Sequence, residues 1–354
     1  MSSPRIAVLG AGANGASIGA DLTRAGLDVS LIEQWPEHVR AMRADGIRVE
    51  MSGLDGDDET QVTPVAAYDL CQVATMRQKF DVVLLLVKAY DSRWATQLIE
   101  PLLADDGIVA GVQNGMTTQV IADVVGAHRT MGTVIEISST MYDPGVVHRH
   151  SNPSRSWFAV GAMDDAASGR EEDVASLLRH AGAVEVVDNI LATKWMKLVS
   201  NATTLVTTAS LGLSMVDALE YPGMRELMVR SGKEALAAGK AQGFPVLPIF
   251  GLTADDIADE DALVDTLLDT LYRGFVMPNT TTTVLQDWTK GRRSEVDELN
   301  GEVVAASSRH GLDAPVNRAV VEVGHRIEAG SLEAGVANLD LLLELAASEG
   351  NTND

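Results

Sequence analysis

Residues 5–25 run as a short apolar stretch, a glycine-rich turn and a helical stretch, and few patterns restrict a fold more tightly. Arg5–Leu9 reads as a strand. Gly10-Ala11-Gly12-Ala13-Asn14-Gly15 is GxGxxG, and Ala16–Ala25 is helical and closed by Gly26. In this setting the first glycine makes a tight turn, the second lets backbone approach a pyrophosphate, and the third lets helix pack close on strand. The helix start offers unpaired N–H groups and partial positive charge to phosphate oxygens. A glycine turn without a ligand is the alternative, and the strand–turn–helix context weighs against it. Gly10, Gly12, Ala13, Asn14 and Gly15 are thus candidate dinucleotide-binding residues.

The second strand, Asp28–Ile32, runs into Glu33-Gln34. An acidic residue about 20 positions after such glycines usually accepts hydrogen bonds from the adenosine ribose. A carboxylate there repels a 2′-phosphate, so Glu33 favours NAD over NADP. Arg40 and Arg43, one to two turns along the next helix, are the residues that would admit NADP. A plain surface carboxylate is the simpler reading of Glu33.

Phe80–Val87 and Gly107–Val112 are further buried strands, rich in Val and Leu as parallel sheets require. Thr133–Met141 and Val146–His150, around Asp143-Pro144-Gly145, look like an antiparallel hairpin, with Trp157–Val160 and Val184–Val187 completing the sheet. After residue 188 helical periods take over. The acidic stretch Thr253–Asp265 is expected to open one of the helices. The expected fold is an α/β N-terminal domain of Rossmann type, its mostly parallel sheet carrying an antiparallel edge, followed by an all-α C-terminal domain. Residues 1–188 would bind the dinucleotide, 189–348 would form the helical substrate and catalytic domain, and 349–354 a flexible tail. A length of 354 residues suits two domains of roughly 150 each.

Twenty-seven Lys and Arg against fifty Asp and Glu leave a net charge of −23. A surface that negative repels phosphate backbones and anionic lipid, so nucleic-acid and membrane-surface roles are not expected. No apolar run reaches the ~18 residues of a membrane span. Cys71 is the only cysteine, which excludes an internal disulfide or a zinc–thiolate cage and fits a reducing cytoplasm. No metal site is expected.

Trp195-Met196-Lys197-Leu198-Val199-Ser200-Asn201 falls on the opening helix of the second half. Lys197 and Asn201 share a face, with Lys194 close to it. A lysine among bulky apolar residues is partly desolvated, which suits it to proton donation. Carbonyl reduction needs such a group, because negative charge grows on oxygen as hydride reaches carbon. From spacing alone, an ordinary lysine on an amphipathic helix is the simpler reading. Thr280–Thr283 can cap a helix or donate to a carboxylate, and Ser294-Glu295 reads as a helix start.

Together these pieces resemble the ketopantoate reductase family, within the 6-phosphogluconate-dehydrogenase-like group. The resemblance runs through Gly10–Gly15, Val87-Lys88-Ala89, Gln113-Asn114-Gly115, Lys197–Asn201, Leu285-Gln286-Asp287, Gly291-Arg292, Ser294-Glu295, Asn300-Gly301 and Ala314-Pro315-Val316-Asn317. It implies that Lys197 is the general acid, that Asn114 and Asn201 hold substrate near the nicotinamide, that Glu295 supports that side of the site, that Lys88 lies near the cofactor, and that Thr283 contacts the substrate carboxylate. It also implies a homodimer through the helical domain. Two positions depart from the family: Leu205 stands where a second asparagine is common, and Glu33-Gln34 where NADP-using members carry a basic residue. Both resemble the family's NAD-dependent D-2-hydroxyacid dehydrogenases. The expected activity is reduction of a small 2-oxo acid to a 2-hydroxy acid with NAD(P)H. The alternatives are NADPH-dependent 2-dehydropantoate reduction, an opine-type dehydrogenase and a non-catalytic dinucleotide sensor.

Overall fold

A computed structural model gives the structure of residues 3–51 and 59–348, so the expected tail at 349–354 lies outside the described residues. The chain forms two compact units, Met1–Leu191 and Ala192–Asp354. In the first, chain order is β1 (Arg5–Leu9), α1 (Ala13–Arg24), β2 (Asp28–Glu33), α2 (Pro36–Asp45), β3 (Ile47–Met51), β4 (Glu59–Thr63), β5 (Ala66–Asp69), α3 (Leu70–Val73), β6 (Phe80–Leu85), α4 (Ser92–Ile99), β7 (Leu103–Val112), α5 (Thr118–Val125), β8 (Thr130–Glu136), β9 (Ser139–Thr140), β10 (Val146–Arg149), β11 (Trp157–Ala162), α6 (Glu171–Leu178) and β12 (Ala183–Val186).

The main sheet has the order β12-β11-β8-β7-β6-β1-β2-β5. It is parallel from β8 to β5, while β11 runs antiparallel to β8 and carries β12 parallel beside it. Alternation along each strand feeds two cores. Ile6, Val8 and Leu31 pack with Ile18 and Leu22 of α1. Ala7, Leu9, Ile32 and Phe80 pack on the other face with Ile99 of α4 and Ile121 of α5.

The expected hairpin divides between two sheets. β8 joins the main sheet, whereas β9 and β10 pair with each other and β10 runs parallel to β3, giving a second sheet of order β4-β3-β10-β9. Arg149 at the end of β10 is 1% exposed and spends its donors on Asp21 Oδ2 of α1 (2.5 Å), Ser151 O (2.7 Å), Ser156 Oγ (3.1 Å) and Ala181 O (2.7 Å). This buried pair fastens α1 to the strands behind it.

From residue 190 onward the chain is helical: α7 (Ile190–Ser210), α8 (Met215–Glu220), α9 (Met224–Ala241), α10 (Leu263–Gly274), α11 (Thr283–Thr289), a π-helical turn at Asp297–Gly301, α12 (Glu302–Arg309), α13 (Pro315–Glu328) and α14 (Asn338–Ser348). α7 crosses α9 closely because α9 carries glycine where α7 carries bulk. A Cβ on Gly239 would lie 2.1 Å from Trp195 Nε1, and one on Gly232 would lie 2.2 Å from Thr203 Oγ1. Only the end of the acidic stretch opens a helix: α10 starts at Leu263, with Asp265 in its first turn. Asp256 instead accepts from Thr253 N (2.7 Å) and Oγ1 (2.6 Å), and Asp259 from Asp261 N (3.1 Å). Aspartates bonding to nearby backbone favour turns over helix.

Candidate active site

Each glycine of the first turn has a different environment. Gly10 sits at φ +95°, and a Cβ there would lie 2.7 Å from the backbone of Leu86 and Val87. A Cβ on Gly15 would come within 2.0 Å of Gly10 O, so α1 leaves the turn with no room for a side chain. Gly12 is the opposite case: a Cβ there meets nothing within 4 Å. Gly12 is also the N-cap of α1, with no side-chain cap and no acidic residue in the first turn. The half-buried Ala13 and Asn14 follow in that first turn, and Asn14 Oδ1 accepts from Ser139 Oγ (2.5 Å). Open space beside a helix start with uncapped N–H groups fits a pyrophosphate.

The turn has a support that sequence reasoning missed. His38 of α2 is fully buried, with Nε2 2.9 Å from Ala11 O, and its Nδ1 accepts from Gly145 N (2.8 Å). That pairing assigns the proton to Nε2, which donates to the glycine turn. Burial pushes its pKa below the usual histidine value, keeping the ring neutral. No local pattern in the sequence links His38 to Ala11 or Gly145.

Glu33 is buried at the end of β2, and its Oε1 accepts from Gln34 N (2.9 Å) and Trp35 N (3.0 Å). Arg40 pairs with Glu37 (2.7 Å). Arg43 donates to Ala67 O (2.8 Å) and to Gln72 Oε1. At the next strand ends, Gln113 Nε2 donates to Val87 O (2.6 Å) and Ser92 Oγ (2.9 Å). This ties the loop bearing Lys88 to the one bearing Asn114, both half-buried.

In the helical unit, Lys194, Lys197, Asn201 and Leu205 fall on one face of α7 at spacings of three, four and four. Lys197 is 7% exposed and Asn201 2%, while Leu205 is half-buried. The Lys197 ammonium lies 5.0 Å from the centroid of the Phe250 ring. Burial lowers the Lys194 pKa to about 7. Lower down, Thr203, Thr204, Thr207 and Thr208 return their hydroxyls to carbonyls four residues back (2.6–2.9 Å), which satisfies them inside the helix.

The threonine cluster separates by role. Thr282 Oγ1 accepts from Leu285 N (3.2 Å) and caps α11, whereas Thr283 Oγ1 is buried with no hydrogen-bond partner among the described residues. Glu295, 4% exposed, stands just before the π-helical turn, where Gly301 N bonds back five residues to Val296 O (3.0 Å). Ser294 donates through N (2.8 Å) and Oγ (2.6 Å) to Glu328 Oε1 of α13, so a carboxylate far along the chain anchors this segment. Asn300 and Asn317 belong to one buried network. Asn300 Nδ2 donates to Asn317 Oδ1 (2.8 Å) and to Ala202 O (3.1 Å), and Ser231 Oγ also donates to Ala202 O (2.9 Å). Asn317 Nδ2 reaches Glu234 Oε2 (2.8 Å) and Ser231 O (3.0 Å). Asn300 thus grips α7 at the residue after Asn201, and Asn317 holds Asn300 and Ser231 in place around it.

Among the described residues, no helix is long and apolar enough to cross a membrane and no cluster of three metal-ligating side chains occurs. The family model "Ketopantoate reductase PanE/ApbA" matches residues 6–164, and its C-terminal companion matches 189–328. A 2-dehydropantoate 2-reductase of Archaeoglobus fulgidus is 27% identical over 343 residues, covering 93% of this chain and all of that one. A PanE/ApbA family ketopantoate reductase of Ralstonia eutropha superposes with a TM-score of 0.75 at 26% identity, covering 92% of this chain and 99% of that one. A D-mandelate dehydrogenase solved with NADH and anilino(oxo)acetate shares the fold, with a TM-score of 0.79 at 19% identity and the same coverage of both chains. With both family models matched in order along most of its length, the chain belongs to the ketopantoate reductase family of NAD(P)-dependent oxidoreductases acting on CH–OH groups.

Proposed function

We propose that this protein reduces a small 2-oxo acid to the 2-hydroxy acid, with Lys197 as general acid and NADH as the preferred reductant. The observation that carries the reading is the buried Lys197 ammonium, one helical turn from the buried Asn201 on the same face of α7. Lys197 Nζ donates its proton to the carbonyl oxygen, and its charge stabilises the oxyanion developing there. Asn201 and Asn114 orient the substrate. Glu295 supports the same site. The partnerless hydroxyl of Thr283 is available to a substrate carboxylate. Leu205 leaves an apolar wall that suits a branched or aromatic side chain.

When bound, NAD(P)H supplies the hydride. Gly10, Gly12, Ala13, Asn14 and Gly15 would hold its pyrophosphate, and Lys88 would lie beside it. Glu33, fixed by two backbone N–H groups, would meet the adenosine ribose. Arg40 and Arg43 are engaged elsewhere, which also supports NAD. The lone Cys71 is consistent with a cytoplasmic enzyme.

Oxidation of NADH and NADPH measured against a panel of 2-oxo acids tests the reading, together with Lys197→Ala. We expect Lys197→Ala to lose at least a hundredfold in turnover, the lower range for a positioned acid. A variant retaining most of the wild-type rate removes Lys197 from the role. The names of the relatives favour a second reading, ketopantoate with NADPH. A clear preference for that pair in the same panel would establish it over ours.

A further inference from the structure

We infer that Phe250 is a positioning residue for the Lys197 ammonium, its ring held by an unfavourable turn so that its face orients the cation for proton donation. The inference rests on Lys197 being the acid. Phe250 is the one non-glycine residue among the described residues at positive φ (+62°), and Gly251 follows at +77°. Leu252 N donates to Ile249 O (3.2 Å) across them. A four-residue turn with both central residues at positive φ is the I′ pattern, normally filled by Gly, Asn or Asp. A bulky side chain there is strained, and such strain persists only where the surroundings enforce it.

The ring is what the strain delivers. Phe250 is 7% exposed, and Lys197 Nζ stands 5.0 Å from its centroid, inside the ~6 Å range of a cation–π contact. Phe275, the C-cap of α10, braces the same ring at 5.3 Å with a 45° tilt. Lysine has a flexible four-carbon stem, so a contact that orients its ammonium bears on where the proton goes. An aromatic face supplies that contact through its quadrupole.

The test replaces Phe250 with 4-fluoro-, 3,5-difluoro- and 3,4,5-trifluorophenylalanine, which weaken the quadrupole stepwise at nearly constant shape. Single-turnover reduction rates are measured for this series and for Phe250→Leu and Phe250→Tyr. We expect the rate to fall with each fluorine. Phe250→Leu should lose about 2- to 30-fold, the rate equivalent of a cation–π contact. Phe250→Tyr should keep most of the rate, and KM for the dinucleotide should stay unchanged. In a Lys197→Ala background, Phe250→Leu should cost nothing further. A flat fluorinated series alongside an inactive Lys197→Ala overturns the role of Phe250 and leaves the acid assignment standing. Wild-type turnover in Lys197→Ala overturns the acid assignment itself.

Discussion

Gly12→Ala separates binding from folding at one methyl group. The Gly12 backbone, φ −63° and ψ −165°, is one that alanine adopts without strain. A Cβ there has no protein atom within 4 Å, so the folded chain gives it room. Gly→Ala at a compatible position gains about 0.4–1 kcal/mol from the unfolded state, and losing glycine's mild N-cap preference offsets part of that. The melting temperature should therefore stay within about 4 °C of wild type. The same methyl would project into the space assigned to the pyrophosphate and keep backbone and phosphate apart. We expect NADH to bind 10- to 100-fold more weakly, roughly 1.4–2.8 kcal/mol. Gly15→Ala is the contrast, because its methyl would stand 2.0 Å from Gly10 O. It should cost about 1–3 kcal/mol in stability through overpacking. Calorimetric titration with NADH beside thermal melts of each variant reads both quantities. Wild-type NADH affinity in Gly12→Ala would show that no phosphate passes that point. A melting loss as large as that of Gly15→Ala would show that the space is not open.

Two further outcomes follow from burial. Lys194 is held near a pKa of about 7 against 10.5 in the unfolded chain, so the unfolded state binds more protons between those values and stability rises with pH across that window. Lys194→Met should flatten that rise and stabilise the protein at neutral pH by up to roughly 5 kcal/mol, read by denaturant melts from pH 6 to 10. A variant melting with the wild-type pH profile would mean that Lys194 is charged without cost in the fold. Gly239→Ala drives a methyl against Trp195 and should cost about 1–3 kcal/mol while shifting Trp195 fluorescence, and an unchanged spectrum and melt would contradict the close helix crossing.

What was legible in the sequence was local. The spacing of Gly10, Gly12 and Gly15 and the continuous apolar run of β6 report their own structure, because period and glycine sterics act within a few residues. The shared face of Lys197 and Asn201 follows from helical geometry alone. The second sheet was hidden for the opposite reason. β10 pairs with β3 across about a hundred residues, and β3 and β4 are short and half polar. No local signal tells such a strand which partner it has. His38 and Phe250 were likewise out of reach, since one is defined by two distant backbone groups and the other by a turn its residue type disfavours. Asn300 and Asn317 were visible as motifs, but only the network reveals that Asn300 holds α7 while Asn317 holds Asn300.

The widened helical turn at Asp297–Gly301 carries a consequence for how such an enzyme can diverge. An extra residue in one loop of helix puts whatever precedes it out of phase with whatever follows. Deleting a single residue there would restore the ordinary ladder and swing the Glu295 side chain by about 100° around the axis, while α12 kept its packing. A lineage could thereby re-aim one buried carboxylate by a change in length alone, with the loss of the Ser294–Glu328 anchor beside it.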